Sequence, residues 1–406
     1  MKRRAFLATA GLAALGGCQE LLFSDGDEGT TAPTPVDGPG PTTPGRGTSE
    51  STADRESNSG PESGDRATET ESVIGTWRTV DPPEPAVPVA DEVLPLSMER
   101  NALRQRVRSG GRRKDGIPSI DRPKFVDRDR APELLADGDV VFGLERGGVA
   151  KAYPQRILVY HEVCNDTVDG DPVSVTYCPL TGTAMGFERG ETTFGVSGRL
   201  LNSNLVLYDR WNETWWPQLP ATAIPGPWNE SPRPNSLREF RLVWTTWKRW
   251  REYRPDTLVL STETGYVRNY VEDPYGGYNP KRGYYDGVST LYPKLASNDR
   301  FRDKRVVVGA RTPDGAVAFL KDALREKQIL GGTLAGDSLV AVYDPRLDTA
   351  YVYRNPDATS VTVADDGIRV GGETHDPDEL PLERVYAFDA MWFAWYGFYP
   401  RGAVYA

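Results

Sequence analysis

The sequence has no sustained basic stripe, no apolar run long enough to cross a bilayer and no paired CxxC motif, and each absence narrows its function. The formal charge is −10 over 406 residues, but the acidity is localised. Residues 1–18 contribute +3 through Lys2, Arg3 and Arg4, residues 19–72 carry twelve acidic against three basic side chains, and about −4 remains for everything beyond. A folded part so nearly balanced lacks the concentrated positive face that phosphate binding requires, so no nucleic-acid partner is expected. The one basic cluster, Arg100 to Lys114, is interrupted by Gly110 and Gly111 and reads as a solvated loop or helix end. Reactive side chains are also scarce, with three cysteines and two histidines in the whole chain.

The first apolar run, in MKRRAFLATAGLAALGGC, is about a dozen residues, too short for a hydrocarbon core of roughly 30 Å. Its charged front, Arg3-Arg4 before Phe6-Leu7, and its small-residue end, Leu15-Gly16-Gly17-Cys18, match an export signal. The pattern resembles a twin-arginine signal joined to a lipobox. That resemblance implies a diacylglyceryl lipid on Cys18 as the first mature residue, two acyl chains being enough for stable anchoring. The expected location is the outer face of the cytoplasmic membrane, with the membrane as partner through Cys18. Residues 19–72, rich in Ser, Thr, Gly, Pro and acidic side chains, cannot bury enough apolar surface to offset their ordering entropy and read as a disordered tether. As a flexible coil of about fifty residues, the tether would hold the domain on the order of 40 Å from the membrane.

From residue 73 to 406 apolar and aromatic residues return, including ten Trp and nineteen Tyr over the whole chain, and short β-like runs alternate with turn signals. Val140–Gly143, Val173–Tyr177, Leu205–Tyr208, Leu258–Ser261, Val306–Gly309 and Leu339–Tyr343 read as strands, and Thr245–Tyr253 as a short helix stopping before Pro255. Val140-Val141-Phe142-Gly143 is echoed by Val306-Val307-Val308-Gly309, Ala152-Tyr153 by Ala318-Phe319, Tyr177-Cys178-Pro179 by Tyr343-Asp344-Pro345 and Thr183-Ala184 by Thr349-Ala350, all at an offset of 166 residues. The expected fold is therefore mainly β (α+β), two related β-rich halves from an internal duplication (about 95–250 and 251–406) with a few short helices. Lys327 stands in the second half where the first has His161, and Asp344 where it has Cys178, so the first half reads as the site and the second as its scaffold.

The scarce residues pool between His161 and Gly182, HEVCNDTVDGDPVSVTYCPLTG. If residues 157–165 form a strand, Asp169-Gly170 makes a two-residue hairpin turn whose register sets His161 opposite Cys178 and Asn165 opposite Ser174, with Cys164 pointing away. If instead a helix starts after Pro154, His161, Cys164 and Asn165 share one helical face. Both arrangements make His161 and Cys178 neighbours. Imidazole with thiolate suits copper or zinc, giving His161, Cys178 and Cys164 as candidate ligands and Asn165, Asp166 and Tyr177 as supporting residues. The same pair suits a thiol enzyme with Cys178 as nucleophile and His161 as base, oriented by Asn165 or Asp166. A Cys164–Cys178 disulfide and a buried, hydrogen-bonded His with two inert thiols complete the alternatives. The last would leave a binding module with a purely structural His/Cys pair. Ser197-Gly198-Arg199 reads as a turn, Asp209, Trp215, Trp216 and Gln218 as groove or core, His375 as a solvated turn residue, and Trp392 to Tyr399 as packing on the last sheet.

His161-Glu162-Val163 with Asn165-Asp166, Val175-Thr176-Tyr177-Cys178-Pro179-Leu180, and Phe194 to Leu200 with Asn202 and Asn204 resemble the DUF3179 family, a domain of unknown function. Lys114 to Pro118 with Pro123-Lys124-Phe125 resembles its entry motif, and Trp392-Phe393-Ala394-Trp395 its closing one. The resemblance covers most of residues 95–406. It implies a frequent second Cys three residues after Cys178; here Thr181 holds that place, so a CxxC redox or metal mechanism does not carry over. Cys164 stands where the family usually has an aliphatic residue.

Overall fold

In the computed structural model, residues 87–131 and 135–406 are described. The expected signal with Cys18, the expected tether over 19–72 and residues 73–86 lie outside the described residues. The rest is mainly β, with five short α-helices among the described residues.

Apolar runs broken by Gly, Asp and Asn turns fold back on themselves as hairpins, and the hairpins assemble into small sheets. Val140–Arg146 and Val149–Pro154 form the first hairpin, flanked by Val243–Thr246 on one side and by Leu258–Leu260 on the other. Pro154 sets the extended cap of a single helical turn, Gln155–Leu158, which leads into a second hairpin, Val163–Val168 with Asp171–Cys178. Thr183–Glu188 and Glu239–Phe240 complete that sheet.

The second half runs through the same order. Val306–Thr312 and Gly315–Leu320 pair, the helix Lys321–Lys327 follows, and Ile329–Leu334, Asp337–Asp344 and Thr349–Arg354 form the next sheet. Each of these strands, and the start of the helix, lies 166 residues after its first-half counterpart. The closing elements correspond as well. Trp247–Tyr253 follows Val243–Thr246 as Trp392–Phe398 follows Ala387–Met391, and the parallel strands Leu258–Leu260 and Ala403–Tyr405 end the two series. The halves differ in what is inserted. The first carries a four-stranded sheet of Arg108–Ser109, Phe194–Leu201, Asn204–Asp209 and Trp215–Pro217, and the second a three-stranded one of Val361–Ala364, Gly367–Val370 and Glu373–His375.

Packing joins the halves. One buried cluster runs from Leu201, Leu205 and Leu207 to Val308, Phe393 and Trp395. Arg241 crosses to the carbonyls of Ala387 and Ala350, both at 2.9 Å, and the buried Glu239 pairs with the buried Arg311. The helix expected from Thr245 begins two residues later, because Thr245 and Thr246 are held in the sheet opposite Val141 and Val140. Ser197 is not in a turn: it sits at a bulge between Val196 and Arg199, its hydroxyl donating to the Val206 carbonyl. His375 ends a strand and is half-buried rather than solvated. The aromatic tail packs as expected, with Trp392, Phe393, Trp395 and Phe398 all buried.

Gly143 and Gly309 occupy equivalent places. A Cβ on Gly143 would overlap the Trp250 indole, and one on Gly309 the Trp395 indole. The absent side chain lets each helix lie against its sheet. Overfilling such a contact costs typically about 1–3 kcal/mol. Gly143→Ala is expected to lower the urea midpoint by a corresponding amount at unchanged slope; a midpoint equal to wild type would refute the close approach.

Candidate functional site

Two expected local geometries both occur, one after the other. The helical turn ends at Leu158, so His161, Cys164 and Asn165 do not share a helical face. From Val163 the chain is extended, and the hairpin has the expected register, Asn165 opposite Ser174 and Val163 opposite Thr176, around Asp169 and Gly170 with φ of 50° and 84°. Positive φ at both turn residues matches the right-handed twist of the strands. The strand starts too late to bring His161 across from Cys178. Glu162, with φ of 59°, breaks the chain between helix and strand.

That break turns His161 away. Its Nδ1 lies 2.7 Å from the Pro118 carbonyl and its Nε2 2.6 Å from the Tyr270 hydroxyl. A carbonyl only accepts, so Nδ1 carries the proton, Nε2 accepts from Tyr270, and Tyr270 accepts in turn from Thr264 at 2.7 Å. Burial, aided by nearby Arg268, lowers the imidazole pKa to about 4. The ring is neutral and both nitrogens are occupied.

Cys164 and Cys178 are free thiols on opposite faces of the hairpin. Cys164 packs with Phe142, Tyr153 and Tyr177, and burial, then Asp166, holds its pKa well above the ordinary thiol value. Cys178 faces the buried turn at Asn202 and Ser203; its Sγ is 3.4 Å from the Leu205 amide and 3.6 Å from the Ser203 carbonyl. Burial, then Glu162, raises it to about 11. Among the described residues no group of three His, Cys, Asp or Glu side chains is placed to hold a metal ion. The expected ligand set of His161, Cys164 and Cys178 is therefore not assembled, and the disulfide alternative, which the hairpin register already disfavours, is not formed.

The supporting residues serve the scaffold. Asn165 accepts from Ser174 at 2.6 Å and from the Phe194 amide at 3.0 Å, and donates to Asp121 and to the Phe194 carbonyl. Asp166 takes Lys151 and the Tyr153 hydroxyl, both at 2.7 Å, in a buried ion pair. The Tyr177 hydroxyl meets Gln155 and Tyr285. None of these polar groups orients His161. Asp209 and Gln218 are likewise buried and bonded: Asp209 accepts from the Trp216 indole at 2.9 Å, and Gln218 joins Thr176, Thr183 and Asn204 in one network. Thr181 enters that network through Asn204 and Thr183, both at 2.9 Å. The residue in place of a second cysteine thus fixes the loop after the first.

The residue that sequence reasoning passed over is Glu162. Its backbone joins both elements, the amide bonding Leu158 at 2.7 Å and the carbonyl accepting from Tyr177 at 2.8 Å. Its carboxyl is buried, and burial, with no hydrogen bond or counter-charge against it among the described residues, raises the pKa to about 8. Near neutral pH the site thus holds two protons, one on Glu162 and one on the Cys178 thiol. A tyrosine-rich segment covers it: Tyr284 donates to the Leu180 carbonyl at 2.7 Å, and Tyr275 and Tyr292 stand close enough to Glu162 to feel its charge. The sequence signal for Glu162 was its place between His161 and Val163 in the family motif; nothing local announced its left-handed backbone.

The model of the family described as a protein of unknown function, DUF3179, matches residues 114–402. The chain belongs to this family. Several motif residues of this DUF3179 member, Glu162, Cys178, Asn202 and Asn204, gather around the same buried turn, together with Thr181. No curated protein and no solved structure matches the chain.

Glu162 keeps its proton to about pH 8 in the fold against 4.5 in an unfolded chain, so its contribution destabilises the fold as pH rises through that interval. His161 has the opposite sign, costing stability as pH falls from 6.5 towards about 4. Glu162→Gln keeps the shape without the charge. Its melting temperature is expected to gain on wild type as pH rises from 5 to 8 and the gain to level off above, a difference of a few kcal/mol. A difference independent of pH would show that the Glu162 carboxyl is ionised throughout.

Proposed function

We propose that this DUF3179 chain is a ligand-binding module displayed at the outer face of the cytoplasmic membrane, with a His/Cys pair that is structural. The observation that carries the reading is the occupation of both His161 nitrogens by Pro118 and Tyr270, with the thiols held apart and protonated. An imidazole so held is free neither as a metal ligand nor as a base for Cys178. Among the open concave surfaces is a cleft of about 790 Å³ lined by Lys294, Phe301, Lys304 and other residues of the 281–305 segment, with Asp322. No helix among the described residues is long and apolar enough to cross a membrane, and the lipid on Cys18 would supply the attachment. The recurrence of element order at one offset supports an ancestral duplication, after which the halves diverged in their polar groups.

A second reading, thiol-dependent catalysis, has one observation in its favour. Glu162 is an uncompensated buried carboxyl beside Cys178, and such groups concentrate at functional sites. Under this reading Glu162, not His161, would carry the proton.

The readings separate experimentally. With the reduced, exported protein, the binding-module reading expects no stoichiometric uptake of Cu(I) or Zn(II), alkylation of Cys178 by iodoacetamide slower than that of a free thiol, and a large loss of melting temperature in His161→Ala. Tight metal uptake abolished by His161→Ala would replace it with a metal site, and alkylation faster than a free thiol with an enzyme. The anchor is tested in the native host by fractionation. Cys18→Ser is expected to release the protein from the membrane fraction and Arg3→Lys with Arg4→Lys to retain it inside the cell; membrane retention of the Cys18 variant would overturn lipid attachment.

A further inference from the structure

A smaller and more enclosed cavity, of about 230 Å³, lies where the two halves meet. Equivalent positions converge on it: Val140 and Val306 from the first strand of each half, Gly182 and Asp348 from the turns that follow the central hairpins, and Trp244 and Asp389 from the strands before the Trp-bearing helices. The first half contributes Trp244 and Val140 with two threonines, and the second contributes all the charge together with Tyr278. Gly182 and Asp348 share a left-handed backbone, φ 57° and 52°, and a side chain on Gly182 would press on the Tyr278 hydroxyl.

Among the described residues the charges in the cavity pair off with one cation left. Lys321 is bound to Asp389 in a buried pair. Arg325 grips Asp348 through two nitrogens at 2.8 and 2.7 Å. Asp322 is shared between Arg305 and Arg325, at 3.0 Å each. Lys281 has no carboxylate within ion-pair distance among the described residues. It is exposed at the rim, yet the protein packed around it desolvates its ammonium and lowers its pKa. Two hydroxyls on lining residues, Tyr278 Oη and Thr245 Oγ1, are buried without a hydrogen-bond partner among the described residues. Tyr177 is the near neighbour of the Tyr278 hydroxyl but does not reach hydrogen-bond geometry. Trp244 and Tyr278 meet edge to face at 5.0 Å and form the apolar wall.

An unmatched cation beside unpaired hydroxyls and an aromatic wall calls for an anionic group on a flat, apolar body. We propose that this cavity binds a small aromatic or planar monocarboxylate, its carboxylate on Lys281 and the Tyr278 hydroxyl and its ring against Trp244. One surplus cation matches one negative charge, which favours a carboxylate over a doubly charged phosphate ester. The volume lies below the roughly 300–1,000 Å³ of sites for drug-sized ligands, so the ligand is small. The larger cleft shares Lys281, Arg305 and Asp322 with the cavity and forms its approach. This inference rests on the binding-module reading and names its ligand class.

Benzoate, benzamide and inorganic phosphate titrated calorimetrically into the exported protein test it. Benzoate is expected to bind with one site per chain, benzamide and phosphate at least tenfold more weakly. Lys281→Met is expected to weaken benzoate at least tenfold and Tyr278→Phe several-fold, both variants melting near wild type. Cys178→Ala, if folded, is expected to leave benzoate binding unchanged. Absence of benzoate binding, equal binding by benzamide, tighter binding of phosphate, or binding indifferent to Lys281→Met would each overturn the proposal. Such a failure leaves the binding-module reading standing, whereas metal uptake or a fast-reacting Cys178 removes that reading without touching benzoate binding.

Discussion

A hairpin buried on both faces has to satisfy its own polar side chains, and the rest of this structure is arranged around that demand. The Val163–Cys178 hairpin carries Asn165, Asp166, Ser174 and Thr176 into the interior, all nearly inaccessible to water. Unpaired, each would cost on the order of 1–3 kcal/mol. Asp121, Lys151, Tyr153, Phe194 and Met185 supply the partners from four separate segments, Lys151 and Tyr153 sharing one strand. The hairpin therefore fixes the inserted sheet, the entry loop and the first hairpin at once. Glu162 is the exception: an acid left without a partner in a scaffold that otherwise leaves so little unpaired at its centre.

The two halves show how one backbone plan serves different chemistry. Gln155 begins the helical turn of the first half and hydrogen-bonds Asp273, Tyr177 and Tyr285. Lys321, at the same point of the second half, is buried in an ion pair instead. Cys178 has as its counterpart Asp344, which Arg346 clasps through two nitrogens at 3.0 Å. At these two equivalent positions the second half carries charged pairs where the first carries a neutral amide and a thiol. The contrast between site and scaffold expected from the sequence thus takes the form of a difference in polar chemistry on a common frame. His161 belongs to the frame, since its counterpart Lys327 is exposed at the end of a helix that the first half does not continue.

Strand positions, the hairpin register and its Asp169-Gly170 turn, the Trp247 and Trp250 face, the buried aromatic tail and the family were all legible in the sequence. These features are local, or carried by residues in fixed spacing, and backbone sterics with side-chain alternation are enough to set them. The site was only half legible. The pooled residues do lie in the interior around one hairpin, but the pairing of His161 with Cys178 assumed that a strand or a helix ran unbroken through Glu162. One left-handed residue redirects the imidazole.

What the sequence by itself determined was the inventory and the periodic elements: two of the three thiols and one of the two imidazoles in one segment, the β-rich plan and the recurrence at 166 residues. Tertiary structure alone decided what those residues do. The partners of His161 come from Pro118 and Tyr270, 43 and 109 residues away, and the cavity at the junction draws on segments from Val140 to Asp389. Whether an imidazole is a ligand or a strut, and whether a lysine is paired or free, depends on which distant groups burial brings within about 3 Å, and no local spacing encodes that.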